Sequence, residues 1–237
     1  MRLPAAVLAT ALLLAACSDG GADQARPTPP PTPPATPTAS AAAAGDPYEA
    51  LNPPISPGVG SYNAVLANRA YAAAHGFLAL QLLEKPTLVG DNGAELVSQL
   101  QGATQDTAIA RDLGGAPTRR GLDYRPLFAK GTTLSDPVAT VTSSTYTADE
   151  VQGLGGEQGL RVSWTGTLVY PVTFQGRAQQ VTYTLSVGYV FSPVAQDPSG
   201  LVMQQTVHGT GTAQGVSTAC LAKGVLYPGP AAGGCPV

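Results

Sequence analysis

The chain is poor in the residues on which enzyme chemistry is usually built. Its 237 positions hold three cysteines, two histidines and one tryptophan, and only 11% of them are charged. No G-x-S-x-G, H-E-x-x-H or C-x-x-C occurs, nor an S-x-x-K followed by K-T-G, so the common nucleophile, zinc and thiol-redox signatures are all missing. The Gly-rich stretch GTGTAQG at 209–215 has its third glycine one residue too far for a dinucleotide fingerprint, and it follows a strand pattern without opening a helix. Beyond Glu157 the only acidic residue is Asp197. No basic stripe is present, and the one basic cluster (Arg119, Arg120, Arg125, Lys130) lies in a Gly/Pro-broken segment that reads as a solvated loop; a nucleic-acid partner is not expected. After the N-terminus no apolar run is long enough to span a bilayer, which takes roughly 20 residues.

What is present begins at that N-terminus. Arg2 precedes an uncharged run from Ala5 to Ala16, too short to span but suited to the apolar region of an export signal. The run ends in Leu14-Ala15-Ala16-Cys17, followed at once by Ser18-Asp19-Gly20-Gly21. This pattern resembles the lipobox of bacterial lipoproteins, a resemblance that implies a signal peptide over 1–16, a diacylglycerylated Cys17 as the mature N-terminus, and a protein held on the extracytoplasmic face of the cell membrane. Two acyl chains anchor stably where a single chain binds only marginally.

Residues 17–60 read as a tether. Eleven of the 22 prolines fall between Ser18 and Gly60, among Thr and Ala and with few bulky apolar residues. Proline fixes φ and lacks a backbone donor, so such a stretch favours an extended polyproline-type spacer over a packed core. The folded domain is then expected over 61–237, as one unit. Removal of Arg2 with the signal leaves 11 basic residues against 15 acidic ones, a side-chain charge of −4. With Cys17 acylated, the remaining Cys220 and Cys235 make an even pair in an oxidising compartment, and a Cys220–Cys235 disulfide closing the C-terminal tail is expected. Neither has a neighbouring His, Cys or carboxylate in sequence, so no metal site and no cofactor is assigned.

Within the domain the hydrophobic period changes once. From 61 to about 114 it is helical: Tyr62, Leu66, Ala70, Ala73, Phe77 and Leu80 share one face of a helix capped by Ser61 and ending near Glu84, before Pro86. A second helix is expected from an Asn92 cap through AELVSQLQ, and a third over Thr104–Leu113. Downstream the period is 2. Leu160, Val162, Trp164, Leu168, Tyr170 and Val172 alternate with polar residues, as do Val181, Tyr183, Leu185, Val187, Tyr189 and Phe191. With flanking strands at about 138–147 and 201–212, and turns at 175–178 and 195–200, the pattern predicts an α+β domain: N-terminal helices packed on a bent, four-stranded antiparallel meander.

That element order resembles the NTF2-like, cystatin-like cone folds over about 61–215. The resemblance implies a sheet with a concave face, on which Trp164, Tyr170, Tyr183 and Tyr189 are candidate cavity-lining residues. Enzymes of that superfamily usually place an acid or base on this face, and the three clearest strands here carry no acidic residue. The expected function is therefore a membrane-anchored extracytoplasmic lipoprotein whose non-catalytic domain binds an envelope protein or an apolar small molecule. The alternative is an extracytoplasmic enzyme using the cone cavity, with His208 or a helix carboxylate such as Glu84 or Asp91 beside one of the tyrosines. His75 and His208 otherwise read as structural or surface residues.

Overall fold

A computed structural model describes residues 45–90, 93–94, 96–98, 112–152, 156–194, 197–207, 209–230 and 235. The expected signal peptide, Cys17 and the tether up to residue 44 lie outside the described residues, as do Asn92 and 99–111, which hold most of the second and third expected helices.

The packed chain begins before Ser61. Asp46 caps the one-turn helix α1 (Pro47–Ala50), its carboxylate accepting from the Tyr48 amide at 2.9 Å. Leu51 is fully buried, and its carbonyl accepts from the Tyr146 hydroxyl at 2.6 Å. The tether boundary expected at Gly60 is corrected by this: prolines at 47, 53, 54 and 57 lie in a segment docked on the domain. Two short strands, β1 (Gly58–Val59) and β2 (Tyr62–Asn63), form a tight antiparallel pair ahead of the long helix α2 (Ala64–Leu82).

Asn63, rather than Ser61, caps α2, its side chain accepting from the Leu66 amide at 3.0 Å. The Ser61 amide and hydroxyl instead donate to the Glu150 carboxylate. The buried stripe of α2 runs through Ala67, Ala70, Tyr71, Ala74, Leu78 and Leu82. This is rotated about one residue from the expected face: Leu66, Ala73, Phe77 and Leu80 are only half-buried. A further turn, α3 (Lys85–Leu88), follows α2 directly, with Pro86 in its first turn, where the missing amide costs no helical bond.

The remainder is an antiparallel sheet curled into a half-barrel, so the molecule is α+β. Its spine is a hairpin of two long strands, β5 (Gln158–Phe174) and β6 (Arg177–Val194), paired from Leu160↔Phe191 to Phe174↔Arg177. The two-residue turn Gln175-Gly176 has φ of 50° and 74°, both in the left-handed region that a primed hairpin turn demands. Burial alternates cleanly along β5, with every even residue from Leu160 to Phe174 inside. Gly166 holds its place in that series because a Cβ there would lie 2.2 Å from the Trp164 ring.

The meander has more strands than expected. Each flank is broken in two: β3 (Thr133–Leu134) and β4 (Thr140–Gln152) both pair with β5, while β7 (Asp197–Val207) and β8 (Gly211–Gln214) both pair with β6. The first break contains Asp136-Pro137, where proline cannot donate to the ladder. The second contains Gly209, where the period-2 pattern predicts a single strand over 201–212.

The tail closes as expected. Cys220 and Cys235 form a disulfide with Cα atoms 5.3 Å apart. Cys220 packs with Ala129, Phe174, Val225 and Tyr227 in a small cluster of its own, and Leu226 bonds to the backbone of Leu127 and Ala129.

Candidate functional site

The concave face of the sheet brings Trp164, Tyr170, Tyr183 and Tyr189 onto one side, and fills it. Each of the four is 0% exposed. Trp164 Nε1 donates to Ser144 Oγ at 2.9 Å. The Tyr170 hydroxyl donates to the Leu82 carbonyl at 2.9 Å, Tyr189 to Gln81 Oε1 at 2.6 Å, and Tyr183 to the Leu122 carbonyl. Burial pushes all three phenols upward in pKa, so they stay protonated as donors. The expected role as cavity lining is corrected: these aromatics are core, the three tyrosine hydroxyls holding helical segments to the sheet and the Trp164 ring nitrogen bonding within the sheet to Ser144 of β4. Sequence alternation identifies which residues share the face, but whether the face is hollow depends on how closely α2 lies over it.

The other candidates are scattered. His75 is on α2, its Nε2 3.2 Å from the Tyr48 carbonyl; His208 and Asp91 lie outside the described residues. The basic cluster is only partly solvated: Arg120 and Lys130 are exposed, whereas Arg119 and Arg125 are not. Residues Arg119–Asp123 form a short 3-10 helix, in which Arg119 contacts Asp123 Oδ1 at 3.1 Å and the Gly211 carbonyl at 2.6 Å, and Arg125 is only 2% exposed. On the convex face Arg161 donates through Nε and Nη2 to the two carboxylate oxygens of its cross-strand partner Asp149, at 2.9 and 2.6 Å.

An open concavity lies on the other side of α2. A groove of about 520 Å³ runs along the half-buried face of that helix, floored by Ala73, Gly76, Phe77 and Leu80 and walled by Glu84, Pro86 and Thr87. Gly76 leaves it open, since a Cβ there would meet no atom within 4 Å. Phe77 forms the inner wall, its ring stacked on Tyr189 at 5.6 Å. Thr87 is 1% exposed, and its hydroxyl has no hydrogen-bond partner.

At Glu84 and Pro86 this groove adjoins a second concavity of about 430 Å³, which reaches Tyr48, Lys85 and Asp136. The Tyr48 hydroxyl donates to Glu84 Oε1 at 2.9 Å. Partial burial, then that bond and the charge of Glu84, hold the Tyr48 phenol up at about 12. Lys85 lies 3.8 Å from Asp136, with both side chains largely exposed. The carboxylates of Asp46 and Glu84 are thus met by neutral donors, an amide and a phenol, in a concavity with apolar walls at Leu83 and Val138.

Glu84 was legible only as a helix-end carboxylate, and Tyr48 fell within the presumed tether, so sequence did not join them. The signal for the groove is the half-buried stripe of Ala73, Phe77 and Leu80 interrupted by the exposed Gly76, a stripe whose apolar members the helical period places on the packed face. Among the described residues no group of three or more His, Cys, Asp or Glu could hold a metal ion, and no helix is long and apolar enough to cross a membrane. No protein-family model matches the chain, and no curated protein or solved structure matches it either.

Proposed function

We propose that the protein is a lipid-anchored extracytoplasmic binding protein, held by acylated Cys17 and presenting a non-catalytic domain of the NTF2-like kind to a ligand or an envelope partner. The observation that carries this reading is the disulfide. With Cys220 and Cys235 joined to each other, Cys17 is the one cysteine left, and it stands where an uncharged apolar run gives way to Ser-Asp-Gly-Gly. A disulfide also suits an oxidising compartment. The hydrogen-bonded aromatic core favours binding from outside the half-barrel over chemistry within it.

The test is phase partition of the protein from cells. The parent chain enters the detergent phase, and its N-terminal peptide carries acyl mass on Cys17; Cys17→Ser leaves an unprocessed, unacylated precursor. A Cys17→Ser chain that is processed and partitions like the parent overturns the anchor.

A further inference from the structure

We infer that the groove over α2 and the concavity it adjoins at Glu84 form one binding site for a small amphiphilic amine, its apolar body on α2 and its cation at Glu84. The inference rests on the binding-protein reading and adds a ligand class to it. The two halves differ in chemistry. The first has a floor of small and apolar residues, Ala73, Gly76, Phe77 and Leu80, in a volume of about 520 Å³, within the range that drug-sized ligands occupy. The second carries three carboxylates, Asp46, Glu84 and Asp136, against Lys85. Lys85 is taken up by Asp136. Glu84, where the halves meet, is held in place by a phenol that does not cancel its charge. An anion entering the groove meets uncompensated negative charge, and a neutral molecule leaves it unused. A cation on an apolar body matches both halves, and the ring of Tyr48 (41% exposed) offers a further surface to that cation. Thr87, buried in the wall with an unpartnered hydroxyl, adds a hydrogen-bonding group beside the apolar half.

Three probes with one fluorophore test this: dansylcadaverine (cationic), dansylamide (neutral) and dansylglycine (anionic). They are titrated against chain 18–237 in detergent-free buffer; every contact described above lies within residues 45–235. Dansylcadaverine binds saturably and tightest, dansylglycine weakest. Glu84→Gln, which keeps an acceptor for Tyr48, weakens dansylcadaverine about fivefold, the scale of one exposed ion pair, and leaves dansylamide unchanged. Raising the salt to about 1 M, where the Debye length is about 3 Å, has the same selective effect. Gly76→Leu, whose Cβ meets no atom within 4 Å, projects its side chain into the groove and abolishes binding of the probes, while thermal unfolding shows the domain intact. Dodecylamine displaces dansylcadaverine.

Absence of saturable binding, equal affinity for all three probes, or binding that survives Gly76→Leu overturns the site. Displacement by a lysine-rich peptide but not by dodecylamine overturns it in favour of a basic partner protein. Phase partition of Cys17→Ser reads the anchor separately, so a chain that is anchored but does not bind the probes loses the ligand assignment alone.

Discussion

The Tyr189 hydroxyl donates to Gln81 Oε1 at 2.6 Å, joining the middle of β6 to the last turn of α2 inside a core that water does not reach. Both residues are 0% exposed, and Gln81 Nε2 has no partner of its own. The pair therefore carries more energy in its breaking than in its making, because a buried acceptor left alone keeps its full desolvation cost. Tyr189→Phe is expected to destabilise the domain by about 1–3 kcal/mol in urea unfolding. Adding Gln81→Leu removes the orphaned carbonyl and the idle amide together, and should recover most of that loss. A double variant no more stable than Tyr189→Phe alone contradicts this account.

The two faces of β5 give a second test. Trp164 is wholly buried, and its ring occupies the space that Gly166 leaves. Trp164→Ala should cost about 3–5 kcal/mol, as aromatic truncations in cores do. Thr165 is exposed on the convex side, sharing a 2.9 Å hydrogen bond with Ser186 of β6. Thr165→Ala should cost no more than about 0.5 kcal/mol. Comparable costs for the two would mean that the sheet does not bury the side assigned.

The contrast between sheet and helix shows which features a sequence discloses. Along β5 the polar and apolar residues differ strongly and alternate with period 2, so one register alone buries Leu160, Trp164, Leu168 and Tyr170 together, and that register is the one found. In α2 the run from Ala64 to Leu82 is Ala- and Leu-rich on nearly every side, so a stripe through Phe77 and one through Tyr71 are almost equally apolar. Packing against the sheet makes the choice: Tyr146 meets Tyr71 edge-on within the buried stripe, while Phe77 stacks on Tyr189 from the margin of the interface and stays half-buried. The broken flanks are local matters of Pro137 and Gly209, readable once their strands are placed. The segment from Asp46 to Gly60 differs from the expected tether because proline content argues against regular structure, but not against docking through a buried Leu51 and Pro47.

Tyr48 should titrate late. Its phenol is held at about 12, against an ordinary 10, chiefly by partial burial and then by Glu84. Because the folded pKa lies above the unfolded one, the stabilisation is fully present below about pH 10 and is lost as the pH rises through about 12. Phenolate absorbance of the native protein should therefore lose a step near pH 12 in Tyr48→Phe. In Glu84→Gln the step should move down toward 10, since a neutral amide neither repels the phenolate nor strengthens its proton. A Tyr48 step near 10 in the parent chain would show the pair to be open in solution.

The tail depends on its disulfide. The Cys220–Cys235 link closes a loop of 15 residues, rich in Gly and Pro, behind a small cluster around Phe174 and Tyr227. In the chain-entropy model a loop of that length is worth about 3 kcal/mol. Cys220→Ala with Cys235→Ala should lower stability by about that amount while leaving the large core folded. Without reductant, peptide mapping should recover the two cysteines linked to each other; two free thiols would remove the closed tail.

Gly76 offers the opposite kind of change. It lies in the interior of α2 on the groove side, exposed, in a helical conformation, and with open space where a Cβ would go. Glycine at such a position costs a helix roughly 0.5–1 kcal/mol relative to alanine, because the unfolded chain has more freedom to lose. Gly76→Ala should therefore raise stability by about that amount, read as a higher urea midpoint with an unchanged slope. The methyl group also narrows the groove floor, so the same variant should bind dansylcadaverine more weakly than the parent while being more stable. Stability and binding moving in opposite directions at one residue is the behaviour expected of a position kept open for a ligand at the helix's expense. If Gly76→Ala destabilises the domain, the groove is closed in solution and Gly76 is packed against something; if stability rises with binding unchanged, the glycine is incidental to the site.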